Sequence, residues 1–416
     1  MVSYSFFKNT FLFSILLLAA CGNSVKSKKP IGNSQKAEAG SSISEVRNDY
    51  YTEDIKTGAD NYQNYLPLLE GKKVGIVTNQ TGIINIKGEE GHLVDFLLEK
   101  KVNVKKIYAP EHGFRGTADA GELIKDGKDT KTGLPIVSLY GNNKKPKPEQ
   151  LEGIDVMVFD LQDVGARFYT YISSLHYVME ACAENNIPLI VLDRPNPNGG
   201  IVDGPILEPE YQSFVGMHPV PVLHGMTIVE YAQMINGEEW LQNNIRCNLT
   251  VIPCTNYKRE MVYDLPVKPS PNLPNSQAIN LYPSLCFFEG TNVSVGRGTD
   301  KQFQIYGSPF LPKTGFSFIP VPNEGAKDPM HNGKTCYGED LTKIKRVNQL
   351  ELKWIISAYN NTQDKSKFFN AFFTKLAGTK QLQQQIEAGK TEAEIRKSWL
   401  AGLNKFKTVR EKYLIY

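Results

Sequence analysis

Ala109-Pro110-Glu111-His112-Gly113-Phe114-Arg115-Gly116 places a carboxylate, an imidazole and a guanidinium within five residues of one another, with glycines that let the backbone turn tightly. A carboxyl group whose pKa is raised by burial can donate a proton, so Glu111 suits general acid work. His112 would orient it or touch a ligand, and Arg115 would pair with a ligand carboxylate. The same residues also suit a structural Glu–Arg pair in a turn. A second segment, Asp160-Leu161-Gln162-Asp163-Val164-Gly165-Ala166-Arg167-Phe168-Tyr169, adds two carboxylates, a guanidinium and a phenol. Asp160 and Asp163 could hold a hard cation or act as a general base and its partner, or Asp163 could simply cap a helix. With no CxxC, no HExxH and no regular ligand spacing, lining a site is favoured over binding metal, and no metal is expected. Asp193-Arg194-Pro195-Asn196-Pro197-Asn198-Gly199-Gly200 and His224-Gly225-Met226-Thr227 are two further polar segments, each weak alone, with Thr227 placed to cap a helix.

These segments need a scaffold, and the apolar runs supply one. Lys73 to Asn79, Val104 to Ala109, Pro135 to Tyr140, Asp155 to Asp160 and Pro188 to Asp193 have strand length, while His92 to Lys101 and Ser173 to Asn186 have helical spacing. Continuous apolar strands separated by helices predict a parallel sheet covered on both faces. Residues 55–265 therefore read as a Rossmann-like α/β domain. Asn79, Glu111 with His112, Asp160 with Asp163, and Asp193 with Arg194 fall at strand carboxyl ends, the rim where open α/β sheets bind ligands. No GxGxxG follows the first strand, so neither a dinucleotide nor any other cofactor is expected. Residues 266–416 open with Pro- and Gly-rich loops, which suit the shaping of a site, and read as a smaller α+β domain. Thr391-Glu392-Ala393-Glu394 is a capping box for a helix with Ile395, Trp399, Leu403 and Phe406 on one face.

The amino-terminal segment addresses the chain. Lys8, the apolar run Phe11 to Ala20 and Leu18-Ala19-Ala20-Cys21-Gly22 form a signal peptide (residues 1–20) with a lipobox, too short to span a bilayer permanently. Cys21 is then the lipidation site, and residues 21–54, poor in large aliphatics, form a tether reaching on the order of 30 Å. The expectation is an exported lipoprotein, anchored in the bacterial cell envelope on the periplasmic side, with the membrane as a partner through its lipid. Lysine plus arginine total 47 against 44 acids, so nothing points to nucleic acid. Five scattered cysteines remain after Cys21; Cys247 and Cys254 could pair or stay as buried thiols.

PEHGFRG, DLQDVGARFYTY, DRPNPNGG, HGMT, PSPNLP and EGTNVSVGRGT, in this order, make the chain similar to the NamZ/YbbC family of exo-β-N-acetylmuramidases, from about residue 60 to the carboxyl terminus. The resemblance implies a glycosidase, a hydrolase of cell wall turnover that releases N-acetylmuramic acid from non-reducing ends of peptidoglycan fragments in a cleft between two domains. By motif it implies that Glu111 is catalytic, beside His112. Arg115, Asp160, Asp163, Arg167, Asp193, Arg194, His224, Asn272, Glu289 and Arg297 are then expected to line the cleft, with Asn79 and Tyr169 joining them as substrate-binding residues. One departure is Val295, where the family commonly carries an acid. Two other readings are a non-catalytic muropeptide-binding lipoprotein and a metal-dependent hydrolase using Asp160, Asp163 and His224.

Overall fold

The computed structural model describes residues 55–114, 126–313 and 315–416; the signal peptide, Cys21, the tether and Arg115 lie outside the described residues. In chain order the strands are β1 (Lys73–Thr78), β2 (Ile83–Ile86), β3 (Glu89–His92), β4 (Asn103–Ala109), β5 (Gly127–Lys128), β6 (Pro135–Ser138), β7 (Val156–Asp160), β8 (Leu189–Leu192) and β9 (Leu249–Ile252). Three more follow: β10 (Ile305–Ser308), β11 (Ser317–Phe318) and β12 (Cys336–Asp340). The seven-stranded sheet runs β5-β6-β4-β1-β7-β8-β9, and only the β5–β6 edge pair is antiparallel. Two parallel halves therefore diverge from the β1–β7 junction, the doubly wound order, with β5 as an added edge.

Strand periodicity explains why both faces are apolar. Val156, Val158, Ile190 and Leu192 join Leu93, Phe96 and Leu97 in one buried cluster. Their neighbours Met157, Phe159, Leu189 and Val191 point the other way, onto the helix Tyr171–Glu184 and the helix Ile228–Gly237. This second cluster continues without a break into the carboxyl-terminal region through Tyr282, Phe287, Phe373, Trp399 and Phe406. That smaller region carries the antiparallel sheet β10-β12-β11, the helix Ser276–Leu285 and four helices from Lys353 onward. A shared core fixes the loops of one region against those of the other.

Both predicted helix starts are present. Thr227 caps Ile228–Gly237 and Thr391 caps Glu392–Arg410, each in a reciprocal box with the acid three residues on, Glu230 and Glu394. Ile395, Trp399, Leu403 and Phe406 are the buried face of the latter helix. Cys182, Cys247, Cys254, Cys286 and Cys336 are all free and buried, so the Cys247–Cys254 pairing is not made.

Candidate active site

Glu111 stands two residues beyond the end of β4, on a loop closed by Gly113 N–H donating to the Pro110 carbonyl at 3.1 Å. His112 and Gly113 both sit in the left-handed region, at φ 73° and 74°. A β-carbon is disfavoured there, and residues held in that conformation gather at functional sites. Phe114 anchors the loop, packing edge-on against His92 with ring centres 5.1 Å apart. Half-buried Glu111 accepts a hydrogen bond from Thr170 Oγ1 at 2.9 Å, so a carboxylate from one strand end is oriented by the residue before the helix Tyr171–Glu184.

Glu111 and His112 face a cavity of about 470 Å³, within the usual size range for small-ligand sites. An aromatic row forms part of its wall: Tyr171 to Tyr169 at 4.8 Å, Tyr169 to Tyr282 at 6.0 Å and Tyr282 to Phe303 at 4.9 Å between ring centres. Tyr169 donates to the Pro269 carbonyl at 2.9 Å, and Asn79 Nδ2 donates to the Tyr171 hydroxyl at 2.6 Å. Burial pushes the phenols of Tyr169, Tyr171 and Tyr282 upward, keeping each protonated. The carboxyl-terminal region contributes Asn272, Glu289, Arg297 and Asp328. Arg297 Nε donates to Glu289 Oε1 at 2.6 Å. Asn272 Nδ2 is spent on the Gly325 carbonyl at 2.6 Å, while its buried Oδ1 has no hydrogen-bond partner.

Of the residues singled out in the sequence, Glu111, His112, Tyr169, Asn272, Glu289 and Arg297 are brought together around this cavity. Arg115 lies outside the described residues, and the others lie off its wall. Asp160 holds Arg194 in a buried fork, Nε at 2.7 Å and Nη2 at 2.9 Å, and Arg194 Nη2 reaches the Ile83 carbonyl at 2.8 Å. The β1–β7 crevice, where doubly wound sheets commonly take ligands, is thus filled by the chain's own ion pair. Asp193 is buried beneath Val229 N–H at 3.1 Å and the Tyr416 hydroxyl at 2.6 Å. Residues 415 and 416 also donate backbone N–H groups to Glu230, tying the chain's last residues beneath the first domain. Arg167 spends its guanidinium on the carbonyls of Pro205, Val220, Leu376 and Ala377 at 2.7 to 2.9 Å. Asn79 acts behind the wall, holding Tyr171.

Asp163 does not cap the following helix: its Oδ2 accepts from Gly165 N–H at 2.7 Å. His224 Nε2 stands 3.8 Å from that oxygen, and its Nδ1 accepts from Met226 N–H. Among the described residues no three His, Cys, Asp or Glu side chains gather as a metal site, and both oxygens of Asp160 face Arg194. Burial raises the Asp163 carboxyl to about 7. A carboxyl raised by folding favours the fold below its unfolded pKa, and that contribution is lost as pH rises through the folded value. Asp163→Asn is therefore expected to gain stability relative to the parent between about pH 4 and pH 8. Urea midpoints that keep a constant difference across that window would refute the assignment.

The sequence reading passed over Tyr140, Thr170, Tyr171, Phe214, Tyr282, Phe303, Asp328, Met330 and Phe372, all on the cavity wall. The signal for Thr170 and Tyr171 was the run Phe168-Tyr169-Thr170-Tyr171 itself, alternating rings with a hydroxyl beside a polar segment. Tyr282 lies inside a helix and reads as core.

Two family models match the chain. Residues 74–277 match the family model for the amino-terminal part of exo-β-N-acetylmuramidase NamZ, and residues 280–416 match the model for its carboxyl-terminal part. The chain is 40% identical to the peptidoglycan β-N-acetylmuramidase NamZ of Bacillus subtilis (strain 168), over 87% of this chain and 91% of that protein. It is also similar to two crystal structures of DUF1343 family proteins from Bacteroides fragilis NCTC 9343. The identities are 44% and 30% and the TM-scores 0.80 and 0.72, each covering 87% of this chain and 99% of the other.

Proposed function

The chain belongs to the exo-β-N-acetylmuramidase NamZ family of glycosidases, and from that membership we propose that it releases N-acetylmuramic acid from the non-reducing ends of peptidoglycan fragments, with Glu111 as general acid. The observation that supports this role is the placement of Glu111: a half-buried carboxyl, oriented by Thr170, facing a cavity lined by phenols and further carboxylates. Glycosidic cleavage needs a proton on the leaving oxygen and negative charge near an oxocarbenium-like centre. Glu111 supplies the first. Asp328 supplies the second, because it faces the same cavity and carries no hydrogen-bond or ion-pair partner among the described residues, whereas Glu289 is committed to Arg297. His112 lies on the wall beside Glu111 to contact the sugar, and the unpartnered Asn272 Oδ1 accepts from a substrate N–H or hydroxyl.

The lipobox at Cys21 adds the setting: the mature protein is exported, lipidated at Cys21 and held on its tether in the periplasm. Its partners are the membrane, through the lipid, and wall fragments. The test is product analysis on a disaccharide with N-acetylmuramic acid at its non-reducing end. Free N-acetylmuramic acid is the expected product, and tight binding with no free sugar would replace hydrolysis by a receptor role.

A further inference from the structure

Buried Arg167 and half-buried Arg297 are used in opposite ways. Arg167 has both terminal nitrogens fully engaged, with four backbone carbonyls between them, and only its buried Nε is without a partner. Arg297 gives only Nε, to Glu289, and Nη1 and Nη2 carry no partner among the described residues although the side chain is only 23% exposed. A guanidinium kept with two parallel donors unspent on a cavity wall is shaped for bidentate contact with a carboxylate.

Everything around Arg297 holds that face in place. The Phe303 ring lies beneath the guanidinium, 5.2 Å from ring centre to Cζ. Glu289 fixes the plane from the Nε edge, and its other oxygen accepts from the Cys286 thiol. The backbone on either side is Gly296 at φ 78° and Gly298 at φ 79°. A Cβ on Gly296 would meet Ile305 at 2.6 Å, and one on Gly298 would meet Pro329 and the Val321 carbonyl at 2.7 Å. Thr299 closes the turn, its hydroxyl donating to the Gly296 carbonyl at 2.6 Å. A side chain so fixed loses little freedom when it takes a ligand.

Among the described residues on the wall, Arg297 is the sole arginine or lysine, against three carboxylates, Glu111, Glu289 and Asp328. A negatively charged ligand group entering the cavity has one strong anchor among the described residues. N-acetylmuramic acid differs from N-acetylglucosamine by a lactyl ether that ends in a carboxylate. Resting on the muramidase reading above, we propose that Arg297 clamps this lactyl carboxylate and is the residue by which the enzyme selects N-acetylmuramic acid over N-acetylglucosamine. Glu289 is the positioning residue for the clamp. A pocket built to pair a polar group discriminates strongly against the analogue that lacks it, because its own donors are then left unpaired.

The experiment compares Arg297→Met, Arg297→Lys and Arg115→Met with the parent. Each is assayed on chromogenic N-acetyl-β-muramide and N-acetyl-β-glucosaminide, and each is titrated calorimetrically with the two free sugars. Arg297→Met is expected to cut the muramide-to-glucosaminide ratio of kcat/KM by about 100-fold. The ratio of dissociation constants for the free sugars should move the same way. Arg297→Lys keeps the charge but not the fork, so its ratio falls by about 10-fold and reads the clamp even where the Met variant fails to fold. A parent-like ratio in Arg297→Lys or Arg297→Met, or a collapse in Arg115→Met instead, overturns the clamp while leaving the hydrolase reading intact. A parent protein that cleaves neither sugar yet binds N-acetylmuramic acid through Arg297 overturns the hydrolase reading and supports the clamp.

Discussion

Glu111→Gln lowers cleavage of a muramic-acid-terminated disaccharide by about 10³-fold, with a smaller loss on a chromogenic aryl muramide. Gln is close to isosteric and keeps an oxygen for the Thr170 hydroxyl, 2.9 Å away in the parent, so the loop and cavity wall are retained. What disappears is the transferable proton. A sugar alkoxide is a poor leaving group and needs that proton in the transition state, whereas a nitrophenolate leaves with little help. The gap between the two substrates therefore separates a general acid from a residue that merely binds. Near-parental turnover of the disaccharide by a folded Glu111→Gln protein would sink the assignment. Equal losses on both substrates would make Glu111 a binding group.

Arg167→Met costs about 3 to 5 kcal/mol of stability, the largest loss expected from any single substitution off the cavity. The side chain is fully buried, and its two terminal nitrogens serve Pro205 and Val220 on one side and Leu376 and Ala377 on the other. Met fills much of the volume but leaves the carbonyls of Pro205, Leu376 and Ala377 without this donor and that of Val220 with Leu207 N–H alone, in a dry interior. Lysine restores the charge and still cannot span four acceptors, so Arg167→Lys should recover little. Urea denaturation reads the result, and a loss below about 1 kcal/mol would contradict the role. The Gly378 backbone, at φ 72°, packs where a Cβ would come within 2.7 Å of Arg167 Nη2, so the staple has no slack for a different geometry.

How much of this was legible beforehand depended on whether the deciding interaction was local. The strands, Thr227 with Glu230, Thr391 with Glu394, and the Glu111 turn are written in residues a few positions apart, and each is present. The family resemblance carried by six ordered segments likewise agrees with both family models. Polar residues at strand ends were harder. Asp160, Asp193 and Glu111 occupy equivalent places, yet Asp160 meets Arg194, Asp193 meets Tyr416, and only Glu111 faces the cavity. Their partners lie far along the chain, and a strand-end carboxylate has the same local signature whether it meets a ligand or a distant side chain. Tyr282 fails for a related reason: a helix face that backs a cavity and one that backs a core carry the same apolar pattern.

Residues 415 and 416 reach back along the sequence to carboxylates of the first domain. Asp193 closes the end of β8, but the hydroxyl it accepts comes from Tyr416, 223 positions later. Glu230 waits in the same way for the backbone of Ile415. A chain emerging from the ribosome lays down its parallel sheet before these partners exist. A nascent length that already contains all seven strands offers Asp193 only Val229 N–H and Glu230 only Thr227 N–H among these donors, so the remaining carboxylate oxygens need water until residues 415 and 416 are made. The order in which the sheet's own residues are made is thus not the order in which its buried carboxylates are satisfied.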